Sequence, residues 1–315
     1  MVMQHADPNE RNISRQRTNS SERTTRTMGP GYPESRRTRV MPEKKKKPSQ
    51  LQIFRRSPKG YLLGILLVLA IVGEWNSDPA GGLKNMVIAV VTGLIVDMGV
   101  SIYQKRKRIF PDGAVLTGLI IAMVLGSDVP WYQTVAAVIF ALISKHVFVT
   151  GRKPIFNPAA FGLFLALLLF QSDESWWGSL TLQPWWFTFV VIIGGFIITN
   201  KVQKFPQILT FLGVYLGLFL VISLAHYKDV SEVFLSPFIN SALFLAFFML
   251  TDPPTSPGKD KDQVIFSLIA AIISVGCYVF FGGLSYLFIG LLVSNGWKAW
   301  KAKKAGQLRK QKQLA

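Results

Sequence analysis

The sequence predicts an all-α polytopic membrane protein, with ten transmembrane helices in two inverted five-helix repeats and short or broken helices among them. Three observations carry this expectation. Half of the 315 residues are apolar although the formal net charge is +18. The charges sit in the two ends of the chain and in short connections between long apolar segments. Two stretches, Ala122 to Ser144 and Phe247 to Ser274, also read as versions of one pattern.

From Met1 to Lys59 the chain is polar and rich in Arg, Ser, Thr and Pro, whereas Gly60 to Trp297 is mostly apolar and Lys298 onward is basic again. We therefore expect a disordered basic cytoplasmic tail over 1–58, a membrane domain over 59–298 with repeats at about 59–172 and 184–298, and a basic cytoplasmic tail over 299–315. The first segment lacks the apolar core of a signal peptide. It buries too little surface to offset chain entropy. Lys44 to Lys47, with Arg55 and Arg56, read as an anchor on the anionic lipids of the cytoplasmic leaflet. Each such charge contributes about 1 kcal/mol. No aromatics interleave with these charges, so a nucleic-acid partner is not expected. The single cysteine, Cys277, offers no internal disulfide and no cluster ligation of its own.

A spanning helix needs about 20 apolar residues, with about 17 as the lower limit. Ten segments qualify or come close: 59–75, 84–103, 112–127, 131–150, 156–172, 184–200, 206–226, 235–251, 262–280 and 282–298. With the N-terminus in the cytoplasm, the base-rich connections (Lys105 to Arg108, Arg152 and Lys153, Lys201 and Lys204, Lys259 and Lys261) all fall on that side. The alternate connections carry Asp128, Asp173 and Glu174 and few bases. This is the positive-inside pattern for a multi-pass cell-membrane protein with both termini cytoplasmic. Trp131, Trp176, Trp177, Trp185 and Trp186 fall at outer span ends, where interfacial aromatics belong.

The two similar stretches are AMVLGSDVPWYQTVAAVIFALIS and FFMLTDPPTSPGKDKDQVIFSLIAAIIS. Each runs from apolar residues through an Asp-bearing Pro turn into a second apolar run. FNPAAFGLFLALLL and LSYLFIGLLVSN match more loosely. An odd number of spans per copy inserts the copies in opposite orientations, a plan that places sites near the midplane between broken helices.

Soluble catalytic signatures are missing: the sequence shows no Gly-rich nucleotide loop, no Walker sequence and no His-Glu-x-x-His, and no self-contained catalytic site is visible. His5, His146 and His226 make no metal or haem constellation, so no metal site is assigned. Polar groups at membrane depth are the remaining signal, because lipid does not solvate them. Asp97, late in the second span, reads either as an ion-paired helix end or as a cation-path carboxylate. Asp112 opens PDGAVLTG, which also holds Thr117, and reads as an ordinary N-cap or as part of a site. Asn157 and Pro158 open IFNPAAFG, where Asn caps and Pro fits the first helical position. The other reading is that free N–H groups there face an anion. In TDPPTSPG, Pro253, Pro254 and Pro257 forbid helix, while Asp252, Thr255 and Ser256 supply a carboxylate and two hydroxyls.

Three of these stretches, PDGAVLTGLIIAMVL, GRKPIFNPAAFGLFLALLL and the TDPPTSPG block with its following helix, resemble in order and spacing the signature blocks of the NqrB/RnfD family. The resemblance runs from about Ile53 to Trp297. These are membrane subunits of the sodium-pumping NADH:quinone oxidoreductase and of the Rnf ferredoxin:NAD oxidoreductase. The resemblance implies ten spans with an inverted repeat, flavin-linked electron transfer coupled to Na+ or H+ translocation, and partner subunits of an electron transport complex. It also implies a covalent FMN on the threonine of an S-G-A-T sequence after the fifth span. Here that segment reads QSDESWWGSLTLQPWW, and Thr181 is its only threonine. The expectation is therefore no covalent FMN, and a non-covalent FMN or riboflavin instead. Asn157, Pro158, Asp112, Thr117 and Thr255 are its expected binding residues, and Trp176 or Trp177 would stack on a ring. Asp97 and Asp252 are the expected ion path. The alternative is a transporter or channel without a redox step, passing a small solute, a vitamin or an ion on the same scaffold.

Overall fold

The computed structural model describes residues 50–74, 79–105, 111–151, 153–171, 185–283 and 285–314. The Lys44 to Lys47 run, Arg106 to Arg108, Arg152, and the loop bearing Trp176, Trp177 and Thr181 lie outside these residues.

Every apolar segment forms helix over most of its described residues. They are α2 (Pro58–Glu74), α3 (Pro79–Tyr103), α4 (Asp112–Val124), α5 (Trp131–Val147), α6 (Pro158–Phe170), α7 (Trp186–Val202), α8 (Phe205–Leu224), α9 (Ser236–Phe244), α10 (Asp260–Phe281) and α11 (Tyr286–Leu314). A π-helical stretch, Leu245–Leu250, continues α9. Two-residue strands, β1 (Val149–Thr150) and β2 (Lys153–Pro154), pair antiparallel between α5 and α6. Among the described residues three helices are long and apolar enough to cross a membrane: Gly81–Tyr103 of α3, α8 and α10. Five further apolar helices are shorter.

One expectation about the ends needs correction. A short helix α1 (Gln50–Arg56) lies inside the segment expected to be disordered. Ile53 and the half-buried Phe54 supply apolar contacts, at a cavity described below, that a purely polar tail lacks. At the other end, α11 runs on through Leu314. Lys301, Lys303, Lys304 and Gln307 are good helix formers, and no Pro interrupts them.

The helices bury polar groups within a largely apolar core and turn further apolar side chains outward. On α3 the exposed large side chains are Leu83, Val87, Val91, Ile95, Met98 and Ile102, one stripe at helical spacing. The opposite face buries Asn85, Ala89, Asp97 and Ser101. In water such a helix would expose its apolar face, whereas in lipid that face is solvated and the polar groups must find partners within the protein. These features make the chain a multi-pass membrane protein. Trp131, Trp185 and Trp186 are exposed, as interfacial rings are.

Two helix pairings recur, α3–α5 with α5–α6 in the first half and α8–α10 with α10–α11 in the second. α3 also lies against α4. α2 meets α7, and α6 meets α11. Two glycines permit the tightest pairings. A methyl group on Gly162 of α6 would run into the Ala137 carbonyl of α5, and one on Gly290 of α11 into the Ala270 carbonyl of α10. Small residues at such crossings let backbones approach where no hydrophobic effect draws helices together.

Candidate functional site

The Pro-rich segment after the π-helical stretch starts with a compact turn. The Asp252 backbone carbonyl accepts from Thr255 N at 3.1 Å, Ser256 N at 2.9 Å and Ser256 Oγ at 2.8 Å. Thr255 Oγ1 donates to Asp252 Oδ2 at 2.8 Å. Three prolines in this segment lack an N–H, so helical bonding cannot continue, and the carbonyls left over need donors. Side chains from distant elements supply them. Asn157 Nδ2 donates to Met249 O at 3.0 Å, and Gln207 Nε2 to Leu250 O at 2.7 Å. Lys298 Nζ donates to Pro254 O at 2.6 Å, and Asn295 Nδ2 to Thr255 O at 3.1 Å. The Lys204 ammonium donates to Pro257 O.

Asn157 joins the two halves. Its Oδ1 caps α6 by accepting from Ala160 N at 3.1 Å, and its backbone N–H donates to Asn295 Oδ1 at 2.8 Å. The capping reading of the FNPA block therefore has its hydrogen bonds. Pro158 occupies the first turn of α6, as its fixed φ favours.

A cavity of about 820 Å³ opens beside this junction. Asp112, Thr117, Asn157, Pro158 and Asp252 all line it, although they are spread over 140 positions of sequence. Leu116, Ile120, Phe247 and Phe248 give it apolar walls, and Ile53 and Phe54 of α1 contribute to the lining. Lys59, Lys145 and Lys153 make its lining cationic. Of the remaining residues singled out from sequence, Thr255 is fully buried behind Asp252, and Asp97 lies outside the lining. Asp97 is paired with Lys145 at 3.0 Å, with His146 Nε2 at 3.9 Å.

Asp112 is not an N-cap. Pro111 holds that position, and Asp112 is the first helical residue of α4. Its Oδ1 accepts from Gly113 N at 2.8 Å and its Oδ2 pairs with Lys59 at 2.7 Å. A carboxylate in the first turn is favoured by the positive end of the helix dipole. Thr117 Oγ1 donates to Gly113 O at 2.8 Å.

The charges around the Pro-rich segment perturb one another. Asp252 keeps some exposure at the cavity, but the protein packed around its carboxylate pushes its pKa above the ordinary value. The Thr255 hydroxyl and the Lys59, Lys298 and Lys204 charges act in the opposite direction. Burial, followed by the Lys298 charge, lowers Lys204 to about 8.

Lys153 and Lys204 read from sequence only as topological signals, and Lys59 and Lys145 were assigned no role. Asn295 carried one usable hint, an amide within an apolar segment. Nothing local announced that it would reach both Asn157 and Thr255.

The family model described as the NQR2, RnfD, RnfE family matches residues 59–181 and 177–295. The chain belongs to this family. Several relatives are named as a subunit of the ion-translocating oxidoreductase complex. To that of Aliivibrio salmonicida the chain is 30% identical over 101 residues, covering 31% of this chain and 29% of the relative. It is 32% identical over 123 residues to that of Pseudomonas aeruginosa strain LESB58, covering 38% and 35%. For Yersinia enterocolitica the figures are 28% over 137 residues, covering 41% and 39%. These alignments span roughly a third of the length of each relative.

Proposed function

We propose that the protein is a membrane subunit of an electron transport complex, in which flavin-linked electron transfer is coupled to translocation of Na+ or H+. The observation that carries this reading is the cavity at which the DG, FNPA and TDPPTSP blocks converge from both halves of the chain. Similarity to relatives named as subunits of ion-translocating oxidoreductase complexes supports the complex and its partner subunits.

The cavity suits a non-covalent FMN or riboflavin in size and chemistry. Its volume lies within the usual range for small-molecule sites, about 300–1,000 Å³. Leu116, Ile120, Phe247 and Phe248 would pack on a planar ring system. Thr117 and Asp112 would meet its polar edge, and Lys145 and Lys153 a phosphate. A bound flavin supplies uptake and release of one or two electrons. The protein's own groups hold and orient it, and Asp252 in the cavity wall holds or releases a proton. Asp97, locked to Lys145, and Asp252 are the carboxylates of the proposed ion path.

The membrane domain over 59–298 is proposed to make ten spans as an inverted repeat, with both termini cytoplasmic and basic flanks on anionic lipid. The matched helix pairings of the two halves support this. So do the amides that serve both broken helices, Asn85 on Gly126 O and Gln207 on Leu250 O.

The test is flavin binding by the purified full-length protein in nanodiscs, followed by quenching of FMN and riboflavin fluorescence. Binding should be saturable, and it should weaken about tenfold in Lys145→Met for FMN more than for riboflavin. Absence of quenching for both ligands overturns the flavin reading and favours the redox-free transporter.

A further inference from the structure

Where α7 borders the cavity, its backbone is bare. Ile198 and Val202 of α7 line the cavity, and the buried Gly195 stands three residues before Ile198, on the same helix face. A methyl group on Gly195 would fall within 2.6 Å of Cγ, Cδ1 and Cδ2 of Phe247. In the ring plane the approach to Cγ is taken by the Cβ of Phe247 itself, so a point this near all three atoms lies over the ring face. Phe247 therefore lays its ring flat on the α7 backbone, and the same residue lines the cavity. The neighbouring Gly194 serves a different contact, because a methyl group there would fall 2.7 Å from Ile65 Cγ2 of α2.

Both backbones are held at this contact. Thr199 Oγ1 donates to Gly195 O at 2.6 Å, and Thr251 Oγ1 to Phe247 O at 2.6 Å. Phe247 also belongs to the π-helical stretch, a conformation that occurs mostly as single turns and often at functional sites. Phe248, with its ring centroid 6.3 Å from that of Phe247, is itself packed on Phe244 at 5.0 Å. The core on that side is filled, so the cavity is the space left for a displaced ring.

We propose that Gly195 sets the size of ligand that the cavity admits. Lacking a side chain, it gives the Phe247 ring a recess against α7, and a side chain there drives the ring into the cavity. The proposal rests on the reading of the cavity as a ligand site and deepens it, since a planar fused-ring ligand is the class that needs this width. Ala is otherwise the better residue inside a helix, so a loss on exchanging Gly195 for Ala is steric in origin.

The experiment uses the full-length protein in nanodiscs, carrying Cys277→Ser, which removes the single native thiol, and Leu116→Cys, which places one in the cavity wall. Alkylation rates are measured with N-ethylmaleimide and with fluorescein maleimide, whose fused planar rings need a wide cavity. Gly195→Ala should slow the fluorescein reagent about tenfold or more and N-ethylmaleimide about twofold or less. Adding Phe247→Ala should restore the fluorescein rate, and Phe247→Ala alone should raise it above the starting rate. Gly213→Ala of α8, where a methyl group meets nothing within 4 Å, should change neither rate. An unchanged fluorescein rate in Gly195→Ala overturns the proposal, and so does a loss that Phe247→Ala fails to restore. Should Gly195→Ala not fold, Phe247→Ala alone decides, and a fluorescein rate no higher than the starting one overturns the proposal. Riboflavin quenching by the native protein reads the flavin assignment separately. Its absence overturns that assignment and leaves the labelling result standing, so the two failures are distinct.

Discussion

The turn after α4 and the Pro-rich segment after α9 each follow a short apolar helix, yet they are held very differently. One amide from the same half, Asn85, fastens the first, through Gly126 O and Ser127 O. The second is fastened by Asn157 from the first half and by Gln207, Lys204, Asn295 and Lys298 from the second. A turn held within its own half shapes that half alone. A segment held from both halves ties them together and places its carboxylate at a cavity they share.

The largest expected effect comes from cutting the cross-half tie. Asn157→Leu removes the α6 cap and strands the buried Met249 carbonyl, so it should cost about 3 kcal/mol in denaturant stability of the detergent-solubilised protein. Asn85→Leu also strands carbonyls but removes an oxygen, Oδ1, without a partner among the described residues, and should cost about 1 kcal/mol in the same assay. If Asn85→Leu proves as damaging as Asn157→Leu, the two breaks are equally important to the fold and the contrast fails.

A smaller effect of opposite sign is expected at Asp252. Its folded pKa is raised above the unfolded value, so the folded state favours the protonated form. That contribution is fully present below the unfolded pKa and is lost as pH rises through the folded one. Asp252→Asn, which mimics the neutral acid and keeps an acceptor for Thr255, should therefore melt higher than native at pH 7, with the gap closing on acidification. The same variant should abolish ion-coupled transport while staying folded; unchanged transport would remove Asp252 from the path.

Lys204 gives a pH effect on the alkaline side. Its folded pKa of about 8 lies below the ordinary lysine value of 10.5, so the unfolded chain holds more protons between these values and stability rises with pH across that window. A melting-temperature series from pH 7 to 10 should show this rise in the native protein and a flatter curve in Lys204→Met. The smallest effect is expected for Lys59→Met. It breaks a partly exposed pair with Asp112 and should change stability by about 0.5 kcal/mol or less.

Much of the fold was legible because long apolar runs have few alternatives in lipid: each must satisfy its backbone internally, and helix does so. The three blocks that line the cavity were legible as Pro, Asp and Asn set in or beside apolar sequence. The roles within them were less so. Asp112 read as a cap and is a first-turn residue paired with Lys59. Thr255 read as a ligand residue and is buried behind Asp252. Asp97 read as an ion-paired helix end or a cation-path carboxylate, but its partner, Lys145, 48 positions away at 3.0 Å, was not legible.

The order of residues determined where helices form, where prolines break them and which segments carry charge, because these depend on local chemistry and on the length of apolar runs. Only the tertiary structure decided which carbonyls exposed by a break find donors, and from how far away. It also decided which oxygens find none. Those outcomes depend on distances between segments far apart in the chain, and close helix crossings such as those at Gly162 and Gly290 set them.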